Sequence, residues 1–246
     1  MGFLDIYFGI FIPTLFFIIF ILLLKGLGKY PDPLPRSENP RKELIEIIMF
    51  ALIVIIYLTL KIFVLDLIPD FFYITLGLST IIYLFVPLIY VHIKDHWTFK
   101  DLGINFKIKS RWILIASLIF YTYYGWHNTL GVQITSYQLL FLFYSNAFLE
   151  EFLFRGVIQS KLERAFGQKK SLIYQAVVFM MMHFPVNTFQ FSLNGDLLRF
   201  FSFFGFQLLN GIVFGLIYLK TRNLWVTVIC HYLGNWLGAI ITLFLG

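Results

Sequence analysis

Charge is scarce in this chain. Only 13% of its 246 residues are Asp, Glu, Lys or Arg, about half of the ~25% a soluble domain carries, so a water-facing surface cannot be built around so much apolar material. The one cysteine, Cys230, excludes an internal disulfide framework; it sits in an apolar run beside His231 and reads as a packing residue. The chain also lacks a paired-cysteine motif, a Gly-x-Ser-x-Gly elbow, a phosphate-cradling Gly-rich loop and a His-Glu-x-x-His helix. Those absences remove the usual signatures of redox, serine-hydrolase, nucleotide and zinc-helix chemistry. No internal repeat or low-complexity tract is visible, and residues 1–132 hold no second copy of the acidic motif described below, as an inverted-repeat transporter would.

What the chain has in abundance is apolar length: 59% hydrophobic and 20% aromatic residues. Runs long enough to cross a bilayer cover Ile6 to Leu24, Leu44 to Leu65, Phe71 to Ile93, Trp112 to Val132, Tyr137 to Gln159, Ser171 to Phe189, Leu197 to Leu219 and Leu224 to Phe244. The expected fold is all-α: a polytopic membrane protein of about eight transmembrane helices, forming one membrane domain with N-terminal helices in 1–132 and chemistry-bearing helices in 133–246. Asp5, rather than a basic cluster, precedes the first run, which is expected to remain as an anchor. The connection Lys25 to Lys42, with Pro31, Pro33 and Pro35, reads as a loop or surface segment.

A net charge of +6 raises the question of a nucleic-acid partner, and the placement of the basic residues answers it. Lys25, Lys29, Arg36, Arg41 and Lys42 mark the first connection; Lys94, Lys100, Lys107, Lys109 and Arg111 mark the third. Arg155, Lys161, Arg164, Lys169 and Lys170 lie around the fifth, and Lys220 and Arg222 in the seventh, so only Lys61 and Arg199 of the 19 basic residues fall elsewhere. The even connections carry Asp66, Asp70 and Asp196 instead. This alternation is the positive-inside pattern: both termini outside, basic loops in the cytoplasm, and no nucleic-acid binding. Gly211 with Gly215, and Gly234 with Gly238, are spaced to let the last two helices approach closely.

Ionisable and amide groups inside apolar spans are costly unless they serve a site. In Asn146-Ala-Phe-Leu-Glu150-Glu151-Phe-Leu-Phe-Arg155, Glu151 and Arg155 are spaced i,i+4, acid before base, as an intrahelical ion pair requires. Glu150 projects about 100° away on the face of Asn146 and Phe154, with no cation at helical spacing, and is placed to act as a general base. Phe179 and His183 are i,i+4 in the sixth run, and His231 and Asn235 in the eighth. At 1.5 Å per residue, Glu150, His183, His231 and Asn235 lie roughly 16, 18, 10 and 16 Å from the cytoplasmic ends of their runs, a common depth. A carboxylate with an imidazole can deprotonate water, and an amide with a second imidazole can hold an oxyanion, which together make acyl hydrolysis without a covalent intermediate. Two histidines and a glutamate could alternatively hold zinc. A proton-relay transporter and a catalytically idle binding or immunity protein are the other classes left open.

These motifs resemble the CPBP intramembrane endopeptidases, also called the Abi family, which include the CAAX prenyl proteases and bacteriocin-processing or immunity proteins. Glu-Glu-x-x-x-Arg stands as Glu150, Glu151 and Arg155, Phe-x-x-x-His as Phe179 and His183, and His-x-x-x-Asn as His231 and Asn235, in family order over Tyr137 to the C-terminus. The resemblance implies an intramembrane protease bundle and a glutamate-type endopeptidase acting on membrane-associated peptides or proteins, either prenylated CAAX-type or pheromone- and bacteriocin-type precursors. It implies no cofactor and no resident metal. Glu150 and His183 would activate water, His231 and Asn235 would hold the oxyanion, Glu151 and Arg155 would orient the site, and Phe179 would shape its wall. A short, Phe- and Ile-rich chain with little outside the membrane looks prokaryotic, placed in the plasma membrane with its site opening toward the cytoplasm.

Overall fold

The computed structural model describes residues 10–65, 72–108 and 110–245. Asp5, Ile6, Asp66, Asp70, Phe71 and Lys109 of the sequence pattern lie outside the described residues. The described residues are helical without a strand: α1 (Ile12–Gly26), α2 (Pro40–Phe63), α3 (residues 72–95), α4 (Arg111–Thr129), α5 (residues 136–166), α6 (Gln168–Met182), α7 (Phe184–Ser192), α8 (Leu197–Thr221) and α9 (Leu224–Leu245). Four of them, α2, α3, α8 and α9, are long and apolar enough to cross a membrane, and α6 with α7 makes a fifth when counted as one span bent by 40°. The other apolar runs are helical but shorter or more polar: α1 has 15 residues, α4 ends in Tyr121-Thr-Tyr-Tyr-Gly-Trp-His-Asn128, and α5 carries three charges near its middle. The chain is an all-helical integral membrane protein.

The chain divides into two compact units. The first comprises residues up to 26, 33–78 and 158–216. Its core is built from Phe17, Phe20 and Leu24 of α1, Ile47, Phe50 and Val54 of α2, and Leu172, Ala176, Phe179 and Met182 of α6. The start of α2 is fixed by Asn39, whose side-chain oxygen accepts from the Lys42 amide at 3.0 Å, with Pro40 in the first turn. Gly211 of α8 faces Ala176 of α6 so closely that a Cβ there would lie 2.8 Å from the Ala176 Cα. At this contact Gln175 Nε2 donates to the Gly211 carbonyl at 2.6 Å, and Gln159 Nε2 donates to the Gly215 carbonyl at 3.0 Å. Bared carbonyls at a glycine contact thus become acceptors for buried amides.

The connection leading into α2 is not simply a surface loop. Leu34 donates its amide to Glu163 Oε1 at 2.9 Å, Ser37 donates to the Arg164 carbonyl at 3.0 Å, and the Arg36 guanidinium covers Gly167. Beside these ties, Lys161 is fully buried, with Nζ 2.9 Å from Glu43 Oε2 and 2.7 Å from Glu46 Oε2. Lys161, which the charge pattern assigns to a cytoplasmic loop, is therefore an interior ion-network residue.

The second unit comprises residues 27–32, 79–157 and 217–246. Its central feature is the crossing of α4 and α9. A side chain at Gly125 would strike the Leu233 carbonyl, one at Gly238 the Thr129 and Leu130 backbone, and one at Gly234 the Tyr121 ring. The Thr129 hydroxyl oxygen accepts from the Gly238 amide at 2.9 Å and donates to the Gly125 carbonyl at 2.7 Å, stitching the crossing where the backbones are nearest. This corrects the expectation that the two glycine pairs join the last two helices to each other: Gly211 and Gly215 receive α6, while Gly234 and Gly238 receive α4.

Candidate active site

The helix that carries the carboxylates is unusually wound. Residues Phe143–Phe148 and Phe152–Gln159 are π-helical, on either side of one α turn at Leu149–Glu151, before regular α-helix resumes at Ser160–Phe166. π segments are rare, costly and concentrated at functional sites. Here they bracket Glu150 and Glu151. Every residue from Glu151 to Ser160 is buried.

Glu151 and Arg155 have no solvent exposure, and Arg155 Nη1 lies 3.1 Å from Glu151 Oε1. The ion pair expected from i,i+4 spacing is present. The same oxygen accepts from His231 Nδ1 of α9 at 2.9 Å, so one carboxylate oxygen gathers the guanidinium and the imidazole. Burying this carboxylate without both donors would be prohibitive. Glu150, next in the chain, is half-buried, and its charge is within electrostatic reach of Arg155. Asn235, one turn beyond His231, is exposed.

Aromatic packing holds α9 in register with α5. Phe148 stacks on Trp225 with centroids 5.6 Å apart, Phe143 meets Tyr232 edge-on at 5.3 Å, and the Tyr232 hydroxyl donates to the Leu139 carbonyl at 3.0 Å. Tyr121 of α4, fully buried, lies on Gly234 within electrostatic reach of Glu151 and Arg155. Neither Trp225 nor Tyr121 stood out in the sequence, because a tyrosine or tryptophan among 20% aromatics carries no positional signal.

Phe179 and His183 belong to the first unit, whereas Glu150, Glu151, Arg155, His231 and Asn235 belong to the second. His183 occupies the break between α6 and α7, with Pro185 in the next turn. Pro185 cannot donate to the ladder, and the span bends there. The ring packs on Phe179 at 4.6 Å between centroids, and Nδ1 lies 2.8 Å from the Phe179 carbonyl oxygen. A carbonyl only accepts, so Nδ1 carries a proton in this contact. Broken helices at membrane depth occur where they line a protein or water-filled interior. Among the described residues, no three His, Cys, Asp or Glu side chains gather closely enough to hold a metal ion.

Residues 132–237 match a family model, the type II CAAX prenyl endopeptidase Rce1-like family. Over these residues the chain is similar to the Rce1-like family. Every candidate residue from Glu150 to Asn235 falls inside it, and the resemblance read from three short motifs is shown over these residues. The Rce1-like family is one of peptidases. No curated protein matches the chain, and no solved structure matches it.

Proposed function

We propose that this Rce1-like protein is a glutamate-type intramembrane endopeptidase that hydrolyses peptide bonds of membrane-associated peptides or proteins, prenylated CAAX-type or pheromone- and bacteriocin-type. The observation that carries the reading is the convergence of Arg155 and His231 on one buried oxygen of Glu151. It commits the second carboxylate of the motif to organising the site and leaves the first, half-buried Glu150, for chemistry. In this mechanism Glu150, with His183, takes a proton from water. The hydroxide oxygen attacks the scissile carbonyl carbon, and the negative charge that develops on the carbonyl oxygen is met by His231 and the Asn235 amide. Glu151 and Arg155 orient these groups, and Phe179 forms part of the wall.

Eight apolar runs crossing a prokaryotic plasma membrane, with both termini outside and the site opening toward the cytoplasm, complete the reading. Residues 133–246 supply the catalytic helices of a single membrane domain. The alternation of basic and acidic connections supports this orientation.

The test is cleavage of quenched prenylated and unprenylated peptides in liposomes by wild type and Glu150→Gln, with and without a strong chelator. Cleavage that depends on Glu150 and resists the chelator is the expected result. Chelator-sensitive cleavage would shift His183 and His231 to a zinc role, and cleavage by Glu150→Gln at the wild-type rate would remove Glu150 as the base.

A further inference from the structure

The connection between α3 and α4, residues 96–110, has hydrogen bonds of its own and two chemically different sides. Thr98 donates its amide and its hydroxyl to Asp101 Oδ2, at 2.8 and 2.6 Å, and Ile104 donates its amide to the Phe99 carbonyl at 2.9 Å. One side is interior. Trp97 and Leu102 are buried, and Gly103, with φ 75°, lies so close to Tyr218 that a Cβ there would stand 2.6 Å from a ring carbon. The other side is apolar and exposed. Phe106 is 92% exposed and Phe99 60%, and Ile108 and Trp112 also face outward. Rings left in water are unfavourable, so a cluster of them on a polar connection marks an interaction surface. Each of these side chains has a cation beside it in the chain. Lys100 follows Phe99, Lys107 stands between Phe106 and Ile108, and Arg111 precedes Trp112, with its guanidinium 5.7 Å from the ring centroid; all three cations are exposed. Of the acids, Asp101 is engaged by Thr98, and Asp95, at the end of α3, is half-buried.

Three helix ends fix the level of this connection. α3 ends at Asp95, α8 ends at Thr221 and α9 begins at Leu224, and all three helices are long and apolar enough to cross a membrane. Asn105 Nδ2 donates to the Arg222 carbonyl at 2.9 Å, Asn223 Nδ2 donates to the Asn105 carbonyl at 2.8 Å, and the Leu224 amide donates to the Gly103 carbonyl at 2.8 Å. The connection is thus tied to the α8–α9 junction, at the edge of the apolar layer, where aromatic side chains and lysine ammonium groups both find their preferred surroundings. A soluble phosphate would answer the cations and leave the rings in water. A lipid with an anionic headgroup answers both, with its phosphate and its acyl chains. We propose that residues 96–112 form a binding surface for anionic phospholipid, with Phe99, Phe106 and Ile108 entering the acyl boundary and Lys100, Lys107 and Arg111 pairing with lipid phosphates. In the proposed orientation the surface meets the cytoplasmic leaflet, which carries the anionic lipids.

Two measurements on the full chain, reconstituted in vesicles of phosphatidylcholine with phosphatidylglycerol, test the apolar and the charged halves separately. For the first, Phe106→Cys is labelled with an environment-sensitive dye, the buried Cys230 giving no background. A quencher carried high on the lipid chain is expected to quench this dye, and acrylamide in the water is expected to reach it several-fold less well than the same dye at the exposed position of Glu38→Cys. Equal access of acrylamide to the two positions would overturn the proposal and leave the exposed face to a protein partner. For the second, spin-labelled phosphatidylglycerol is expected to associate with the wild-type protein in preference to spin-labelled phosphatidylcholine. Lys100→Gln and Lys107→Gln should each cut that preference by up to about fivefold, the factor expected for one basic residue near an anionic surface. Absence of the preference in wild type, or an undiminished preference in the double variant, would overturn the proposal. Glycerol 3-phosphate separates the lipid from its headgroup alone: it is expected to leave the spin-labelled lipid in place, and displacement would mean that the surface takes a soluble phosphate, which would also overturn the proposal.

Discussion

Glu151 and His231, 80 positions apart in the chain, share a hydrogen bond of 2.9 Å between Oε1 and Nδ1 in a space closed to solvent. The contact joins two motifs that are separate in sequence, and it does so through the one carboxylate of the adjacent pair that also holds Arg155. Glu150 and Glu151 are chemically identical and adjacent, and their surroundings differ: Glu151 is fully buried against Arg155 and His231, whereas Glu150 is half-buried.

This arrangement predicts that Glu151→Ala destabilises the fold by about 3–5 kcal/mol, the range for leaving one member of a buried ion pair alone. Thermal unfolding in detergent measures it. Glu151→Ala combined with Arg155→Leu should be markedly more stable than the sum of the two single losses, since each single variant strands the other partner. Strictly additive losses would mean that the pair is not energetically coupled.

Lys161 predicts a second such cluster, in the first unit. Lys161→Met leaves Glu43 and Glu46 facing each other around an apolar side chain, in place of contacts of 2.9 and 2.7 Å to an ammonium. A loss of about 3–5 kcal/mol is expected. Adding Glu43→Gln and Glu46→Gln to Lys161→Met should recover a large part of it. If the triple variant is no more stable than Lys161→Met, like-charge repulsion is not what the lysine relieves.

Much of this was legible in the sequence and some was not, for reasons that are physical. The i,i+4 pairing of Glu151 with Arg155 and of Phe179 with His183 is local geometry, and short-range spacing reports it faithfully. Membrane helices declare themselves by composition, because only apolar length can satisfy a bilayer. The Glu151–His231 bond is a contact between helices, and no periodicity within one helix specifies it. The π segments around Glu150 left no mark on the pattern, because α and π winding both place residues four apart on roughly one face. Lys161 was misplaced because a lysine near a helix end looks like loop charge until its partners, 115 and 118 positions away, are known. Likewise the small-xxx-small spacings identify faces that allow close approach, but not which helix comes to them.

Orientation in the membrane can be read with thiol chemistry, because the native Cys230 is fully buried and gives no background. Lys100→Cys, in the third connection, should be labelled by an impermeant maleimide only after the membrane is opened. Asn194→Cys, between α7 and α8, should be labelled in intact cells. The reverse pattern would invert the proposed topology.

The crossing of α4 with α9 carries the last prediction, because α9 presents His231 and Asn235. Gly238→Ala adds one methyl group where the Thr129 and Leu130 backbone already fills the space, and Gly125→Ala does the same against the Leu233 carbonyl. Backbone cannot move aside as a flexible side chain can, so each substitution should cost about 1–3 kcal/mol or more, the range for overpacking, and should lower peptide cleavage by displacing α9 against α5. Gly205 of α8 supplies the control: nothing lies within 4 Å of a Cβ built there, so Gly205→Ala should be neutral or stabilise by up to about 1 kcal/mol through helix propensity alone. Unfolding temperatures and cleavage rates measured on the three variants together decide the matter. If Gly238→Ala behaves like Gly205→Ala, the helices do not meet as closely as the structure has them.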